Sequence, residues 1–295
     1  MRNPGKKVSV SAVLLLALAL MGAPSAPAAR EWRMAKVDPE NIPSPDATAS
    51  VEELTALANR YAAAGDVAMA EKFYRRALEV MERSVGATHP NVALLIHNVA
   101  AMCQNQAKHR EAEALYLRSL EILEKVFEGD HPDMAASLAS LGSLYVSEAR
   151  YVEAEPMIER AISIIEKTKG KDHPDLSGPL STLGNLRREQ ARYKEAEGYY
   201  KRALKLTEKK RGSRHPDLVS ILQNYSMNYF ELGQYDKAES MLNRALEIAE
   251  EAYGPDHPNV ALVVTNLLAV YQRQGKEGKA QSLAKKYEGI GVPQP

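Results

Sequence analysis

The chain has 295 residues, of which 45% are hydrophobic and 26% charged, the balance of a soluble protein with ample material to bury. Its 38 basic and 38 acidic side chains cancel, so it lacks the electrostatic footprint of a nucleic-acid binder. The single cysteine, Cys103, excludes an intramolecular disulfide and paired-cysteine metal or redox motifs. In a helical setting a lone thiol is a small core residue before it is a reactive one.

Arg2, Lys6 and Lys7 open the chain, and Val8 to Met21 is an almost unbroken apolar run of 14 residues. Gly22, Pro24 and Pro27 end it among small residues. This is the three-part layout of a secretory signal peptide, and the run falls short of the ~20 residues of a membrane-spanning helix. Ala26-Pro27-Ala28 places the expected cleavage after Ala28, so residues 1–28 are read as a signal peptide. No cysteine follows to accept a lipid; the alternative is an uncleaved N-terminal anchor. Cleavage would leave 35 basic against 38 acidic side chains. Residues 29–50 hold Pro39, Pro43 and Pro45 without an apolar period and read as a flexible linker. The lone tryptophan, Trp32, lies in it, either covering the end of the folded region or exposed.

From residue 51 the chain repeats. His89-Pro90, His131-Pro132, His173-Pro174, His215-Pro216 and His257-Pro258 stand 42 residues apart. The series Ala70, Ala112, Ala154, Ala196, Ala238, Ala280 keeps the same register, as does Arg76, Arg118, Arg160, Arg202, Arg244. A fixed period of this length means a stacked array. Within a unit the spacing is helical: Leu57, Ala58 and Tyr61 make one apolar stripe, and Ala70, Tyr74 and Ala77 another. Small residues let helices approach closely, and a hairpin with two such stripes is buried only by stacking on neighbours. Each His-Pro is expected to start a first helix, because proline suits the first helical position and the following Asp or Asn suits the positive helix end. Gly65, Gly233 and Gly275 mark the turns within hairpins, and Ala107, Ala149 and Ala191 replace glycine in the middle units. Unit boundaries fall near 51–88, 89–130, 131–172, 173–214, 215–256 and 257–288, with 289–295 as a tail.

The order Leu141-Gly142-Ser143-Leu144-Tyr145, a turn, and later Tyr193-Lys194-Glu195-Ala196-Glu197 resembles the tetratricopeptide repeat. That repeat is usually about 34 residues long. The longer unit here, with its Gly-x-x-His-Pro, is similar to the repeats of kinesin light chains and their bacterial relatives. The resemblance covers residues 51–288. It implies an all-α, right-handed α-α superhelix of six helical hairpins that binds a peptide or protein along its concave face. Fold alone does not assign function. The kinesin light chains are cytosolic cargo adaptors, and the N-terminal segment argues against that role here, so only the binding mode carries over.

The sequence has no Walker A loop, no H-E-x-x-H and no G-x-S-x-G. The repeated histidines sit on elements at least ~8–10 Å apart and cannot converge on one metal ion. They read as helix starters. The Ala-Glu and Arg-Ala pairs recur in every unit and read as solvated charges beside the apolar stripe. Asn224-Tyr225-Ser226 matches a glycosylation acceptor but lies within an expected helix. Neither catalysis nor a cofactor or metal is expected.

A binding surface is expected along the first helices. One position reads Asn98, Ser140, Thr182, Asn224 and Asn266, each able to donate and accept hydrogen bonds. An extended peptide offers unpaired backbone groups at regular steps, which such a ladder reads without regard to sequence. In the family that the repeats resemble, an asparagine here does this work. The competing reading is that these groups bond within the stack. Nearby groove positions are His97, Asn185, Arg188, Gln223, Met227, Phe230 and Arg273, with Arg188 and Arg273 able to meet a carboxylate or to stay solvated. Unit four departs from its neighbours. Gly178-Pro179 falls a turn inside its first helix, and Arg187 replaces the core tyrosine. A kinked or late-starting helix is expected there, opening the groove near Arg188. The whole points to an exported scaffold for a protein or peptide partner, placed in a bacterial periplasm. The alternatives are secretion or tethering to the inner membrane facing the periplasm.

Overall fold

A computed structural model describes residues 49–292. The signal-peptide region 1–28, nearly all of the linker with Trp32, and the last three residues lie outside the described residues.

Twelve α-helices, with no strands among the described residues, form six antiparallel hairpins. They are α1 (Val51–Ala63), α2 (Val67–Val85), α3 (Pro90–Asn105), α4 (His109–Val126), α5 (Pro132–Ser147), α6 (Tyr151–Lys169), α7 (Ser177–Glu189), α8 (Tyr193–Arg211), α9 (Leu218–Glu231), α10 (Tyr235–Tyr253), α11 (Pro258–Gln274) and α12 (Glu277–Lys286). Odd-numbered helices are the first of each hairpin. Ser50 starts the array with a reciprocal cap: its Oγ accepts from Glu53 N–H at 3.2 Å, and Glu53 accepts from Ser50 N–H at 2.9 Å.

Four of the five His-Pro pairs start helical segments directly, His215-Pro216 leads into a turn before α9, and in all five the imidazole itself accepts a backbone N–H. Nδ1 accepts the backbone N–H two residues on, at 3.1 to 3.3 Å, in His89, His131, His173, His215 and His257. A ring nitrogen that accepts has no proton, so this cap requires the ring proton on Nε2. The turns inside hairpins use left-handed backbone. Gly65, Gly233 and Gly275 adopt φ of 82°, 69° and 68°, and Ala107, Ala149 and Ala191 are held at 57° or 58°, where a Cβ is strained.

Small residues set the helix spacing as expected. Ala58, Ala70, Ala77, Ala112, Ala154, Ala161, Ala196, Ala203, Ala238 and Ala245 are fully buried. A methyl added at Gly142 would lie 2.5 Å from Ile158 Cγ1, and one at Gly184 would lie 2.7 Å from the Tyr200 ring. These glycines are there because the second helix crosses too closely for a side chain. The buried residues form two clusters that divide within α8: Ala203 and Leu206 belong to the first, Ala196 and Tyr200 to the second.

The recurring charges stay partly exposed, as expected, but they are also paired. They join one hairpin to the next. On second helices, Arg118 pairs with Glu82, Arg160 with Glu124, Arg202 with Glu166, Arg244 with Glu208 and Lys286 with Glu250, at 2.6 to 2.9 Å. The glutamate of the Ala-Glu pair reaches the following hairpin instead. Glu71 meets Lys108 at 2.9 Å, Glu113 meets Arg150 at 2.9 Å, and Glu239 meets Lys276 at 2.7 Å. Glu113 also accepts from Tyr145 Oη at 2.9 Å, and Glu197 from Tyr229 Oη at 3.2 Å.

That same position explains Arg187. It occupies the tyrosine site of unit four, is buried, and forms an ion pair with Glu155, the glutamate of that series, while donating to Gln190 at 3.1 Å. The helix of unit four starts late, as expected. A 3-10 turn covers Pro174–Leu176 and α7 begins at Ser177, so Pro179 falls in the first turn, where its missing N–H has no intrahelical partner to lose. Unit five also starts late, at Leu218, and its His215 is buried. Unit four is therefore not the sole departure from the pattern.

Candidate peptide-binding groove

First helices line the concave side. α3 touches α5, α5 touches α7, α7 touches α9 and α9 touches α11, while second helices pack against the first helices on either side. A stripe at helical spacing runs along the first helices: on α3, Asn91, Leu94, Asn98, Ala101 and Asn105 are exposed or half-buried. The ladder position is the middle of that stripe in every unit.

The ladder is placed in line, and its members differ in what they have left to offer. Asn98, Ser140 and Asn224 are half-buried, whereas Thr182 and Asn266 are 5% and 7% exposed. Thr182 Oγ1 donates to the Gly178 carbonyl of its own helix at 3.1 Å. Asn224 Nδ2 donates to Ser181 Oγ on α7 at 3.3 Å, so it also ties two first helices together. Asn266 Oδ1 is buried without a hydrogen-bond partner among the described residues, a state that costs roughly 1–3 kcal/mol in a folded protein.

The flanking positions divide. Asn185 lends its side-chain oxygen to Tyr200 Oη at 2.6 Å. Gln223 and Met227 are half-buried on α9. Arg188 pairs with Glu189 at 2.6 Å, so its charge is already met. Arg273 is exposed, lies 5.6 Å from the centre of the Phe230 ring, and pairs with no carboxylate among the described residues. It is the cation at the groove wall with its charge to offer. His97 belongs to the stack instead: its Nδ1 lies 3.1 Å from Ser137 Oγ and its ring 5.5 Å from that of Tyr116. Burial pushes its imidazole down to about 4.

The sequence reading missed the residues one turn before the ladder: Leu94, Ala136, Gly178, Ser220 and Leu262. All are uncharged, and Leu94 is 38% exposed. Their signal was available, since each stands four residues before a ladder position. The groove wall is thus mostly small and neutral, and suits an extended backbone better than a highly charged ligand.

One group among the described residues has metal-ligand spacing, Glu71, Cys103 and Glu111, with ligand atoms within 4.8 Å of one another. Arg75 bonds both carboxylates at 2.6 Å and Lys108 bonds Glu71. Burial pushes the Cys103 thiol up to about 12. The cluster is an inter-hairpin tie in which Cys103 stands at the tyrosine site of unit two. No helix among the described residues is long and apolar enough to cross a membrane.

The model of the tetratricopeptide repeat matches residues 91–167, 147–209, 176–251 and 217–290, and a second tetratricopeptide repeat model matches 54–91. The chain belongs to the tetratricopeptide repeat family. Among solved structures, BtubC (BKLC) from P. vanneervenii is similar, with a TM-score of 0.57 at 22% identity over 84% of this chain and 95% of that one. A putative kinesin light chain from Podosopora anserina, described as having nearly identical TPR-like repeats, gives 0.53 at 23% identity over 68% of this chain and 96% of that one. A chain of the APC/C hetero-tetramer Cut9-Hcn1 gives 0.61 at 16% identity over 82% of this chain and 40% of that one. At these identities the likeness is one of fold. No curated protein matches the chain in sequence. Tetratricopeptide repeat arrays are generally scaffolds for protein–protein interaction, and this chain is such a scaffold.

Proposed function

We propose that the chain is an exported, non-enzymatic scaffold that holds an extended segment of a protein partner along its concave wall. The observation that carries this is the row Asn98, Ser140, Thr182, Asn224 and Asn266, one hydrogen-bonding side chain on each of five successive first helices that touch one another. Neutral wall residues beside the row favour recognition of backbone, and Arg273 at the far end supplies a site for a partner carboxylate. The basic start, apolar run and Ala26-Pro27-Ala28 site support export, with the periplasm as the compartment. The same segment supports a second reading, a membrane-tethered assembly or chaperone-like factor, if it stays uncleaved.

Affinity capture with the mature protein against an Asn98→Ala/Asn224→Ala/Asn266→Ala variant tests the groove. A partner retained by the first and lost by the folded variant supports the reading; equal capture by both ends it. Sequencing the N-terminus of the mature chain decides between export and tethering, because a chain that starts at Ala29 has no anchor left.

A further inference from the structure

Two residues 194 apart in the chain meet: His257 Nε2 lies 3.3 Å from the carbonyl oxygen of Ala63. Ala63 ends α1 in the first hairpin, and His257 caps α11 in the last. Beside this contact the Pro258 ring lies against Gly65, where an added methyl would come within 3.7 Å of Pro258 Cγ. The two hairpins at the ends of the array therefore touch. Every adjacent pair of hairpins also touches in turn, so the contacts run without a break from the first hairpin through the sixth and back to the first.

The chemistry of the contact is set by the cap. His257 Nδ1 accepts from Asn259 N–H at 3.1 Å, which leaves the ring proton on Nε2, aimed at Ala63. The carbonyl it meets is one of the last four of α1, which have no intrahelical donor. One neutral imidazole thus caps one helix and satisfies the end of another. Its ring is held by stacking on Tyr253, with centroids 4.8 Å apart. A mid-array histidine, His131, has the same cap and the same kind of stack, on Phe127, at a site with no such neighbour.

We infer that the contact of His257 and Pro258 with Ala63 and Gly65 is a latch that closes the repeat array into one complete superhelical turn. Taken with the groove reading on which its consequence rests, the latch selects partners: a segment reaches the concave wall by threading a free end, or the latch opens to admit it.

Closure is testable on the free protein, without any partner. In a Cys103→Ser background, spin labels go on Ala64→Cys and Asp256→Cys, both exposed positions next to the contact. Distances are read by pulsed electron resonance. The closed array gives a narrow distribution at the short end of the measurable range. His257→Asn keeps a competent helix cap but cannot reach Ala63, and is expected to move part of the distribution to longer distances. His131→Asn removes an equivalent ring without touching the latch and is expected to leave the distribution in place. Circular dichroism shows that each variant is folded. A broad or long distribution in the parent overturns closure. A short one that His257→Asn leaves unmoved, or that His131→Asn opens equally, overturns the latch. None of these outcomes depends on whether the groove binds a partner.

Discussion

Glu71, with Glu82, is a carboxylate that joins the first hairpin to the second, and replacing it isolates the energy of one such joint. Its side chain is 10% exposed and accepts from Arg75, from Lys108 at 2.9 Å and from Gln106 at 2.6 Å. Burial pushes its carboxyl up, but the bonds from Lys108, Arg75 and Gln106 outweigh burial and hold it at about 2 against an ordinary 4.5. At ~1.4 kcal/mol per tenfold change in proton affinity, that gap corresponds to roughly 3 kcal/mol. Arg75 and Lys108 are 39% and 43% exposed, so solvent screening brings the expected cost of Glu71→Gln to about 2 kcal/mol at neutral pH. In a repeat array the loss stays local to the weakened interface. Amide hydrogen exchange at pH 7 is then expected to quicken roughly 30-fold in residues 51–85 and far less beyond α4. A carboxylate with a lowered pKa contributes stability that is fully present above its unfolded value and is lost as pH falls toward about 2. Urea midpoints of the parent and the variant should therefore differ at pH 7 and converge near pH 2. Less than a threefold change in exchange, or the same gap in midpoints at both pH values, would refute the assignment.

Three further outcomes follow from single positions. Gly184→Ala gains about 1 kcal/mol of helix propensity but forces a methyl to within 2.7 Å of Tyr200, an overpacking that costs ~1–3 kcal/mol, so thermal unfolding should come at a lower temperature. Ala149→Gly relieves a φ of 58° and should raise the urea midpoint by up to about 1 kcal/mol of stability, whereas an unchanged or lower midpoint would show that the turn carries no strain. Burial lowers the pKa of His215, with Asp217 opposing and Arg211 assisting, and burial also lowers that of His257. The stability linked to these two rings is thus present above the ordinary histidine range and lost as pH falls below it. Imidazole NMR titration should find both neutral with Nε2 protonated when exposed histidines have begun to charge.

The hairpins and their close-packed alanines were legible because a 42-residue register repeats the same physical demand in each unit. The capping role of the histidines was legible too, from the proline that follows them, although the sequence did not show that the ring nitrogen does the capping. The charge series was visible, but its pairing between hairpins was not. A glutamate such as Glu113 looks solvated on its own helix, and only stacking brings Arg150 and Tyr145 of the next hairpin against it. Arg187 looked like a break in the pattern for the same reason, since its partner Glu155 lies in the preceding hairpin. The candidate groove positions share one register, but which of them keep free hydrogen-bonding or charged groups does not follow from it, because Asn185 and Arg188 are engaged by Tyr200 and Glu189. The meeting of Ala63 with His257 depends on the curvature summed over five hairpins, which no local pattern encodes.

Site-specific photo-crosslinking in the native host tests the central claim most directly. A benzophenone side chain replaces Leu94 on the concave wall in one variant and Leu117, a 47% exposed residue of the outer helix α4, in another. The account predicts a crosslinked partner from position 94 that disappears when Asn98, Asn224 and Asn266 become alanine, and none of that partner from position 117. Crosslinking from position 117 alone, or crosslinking from position 94 that survives the triple substitution, would contradict it.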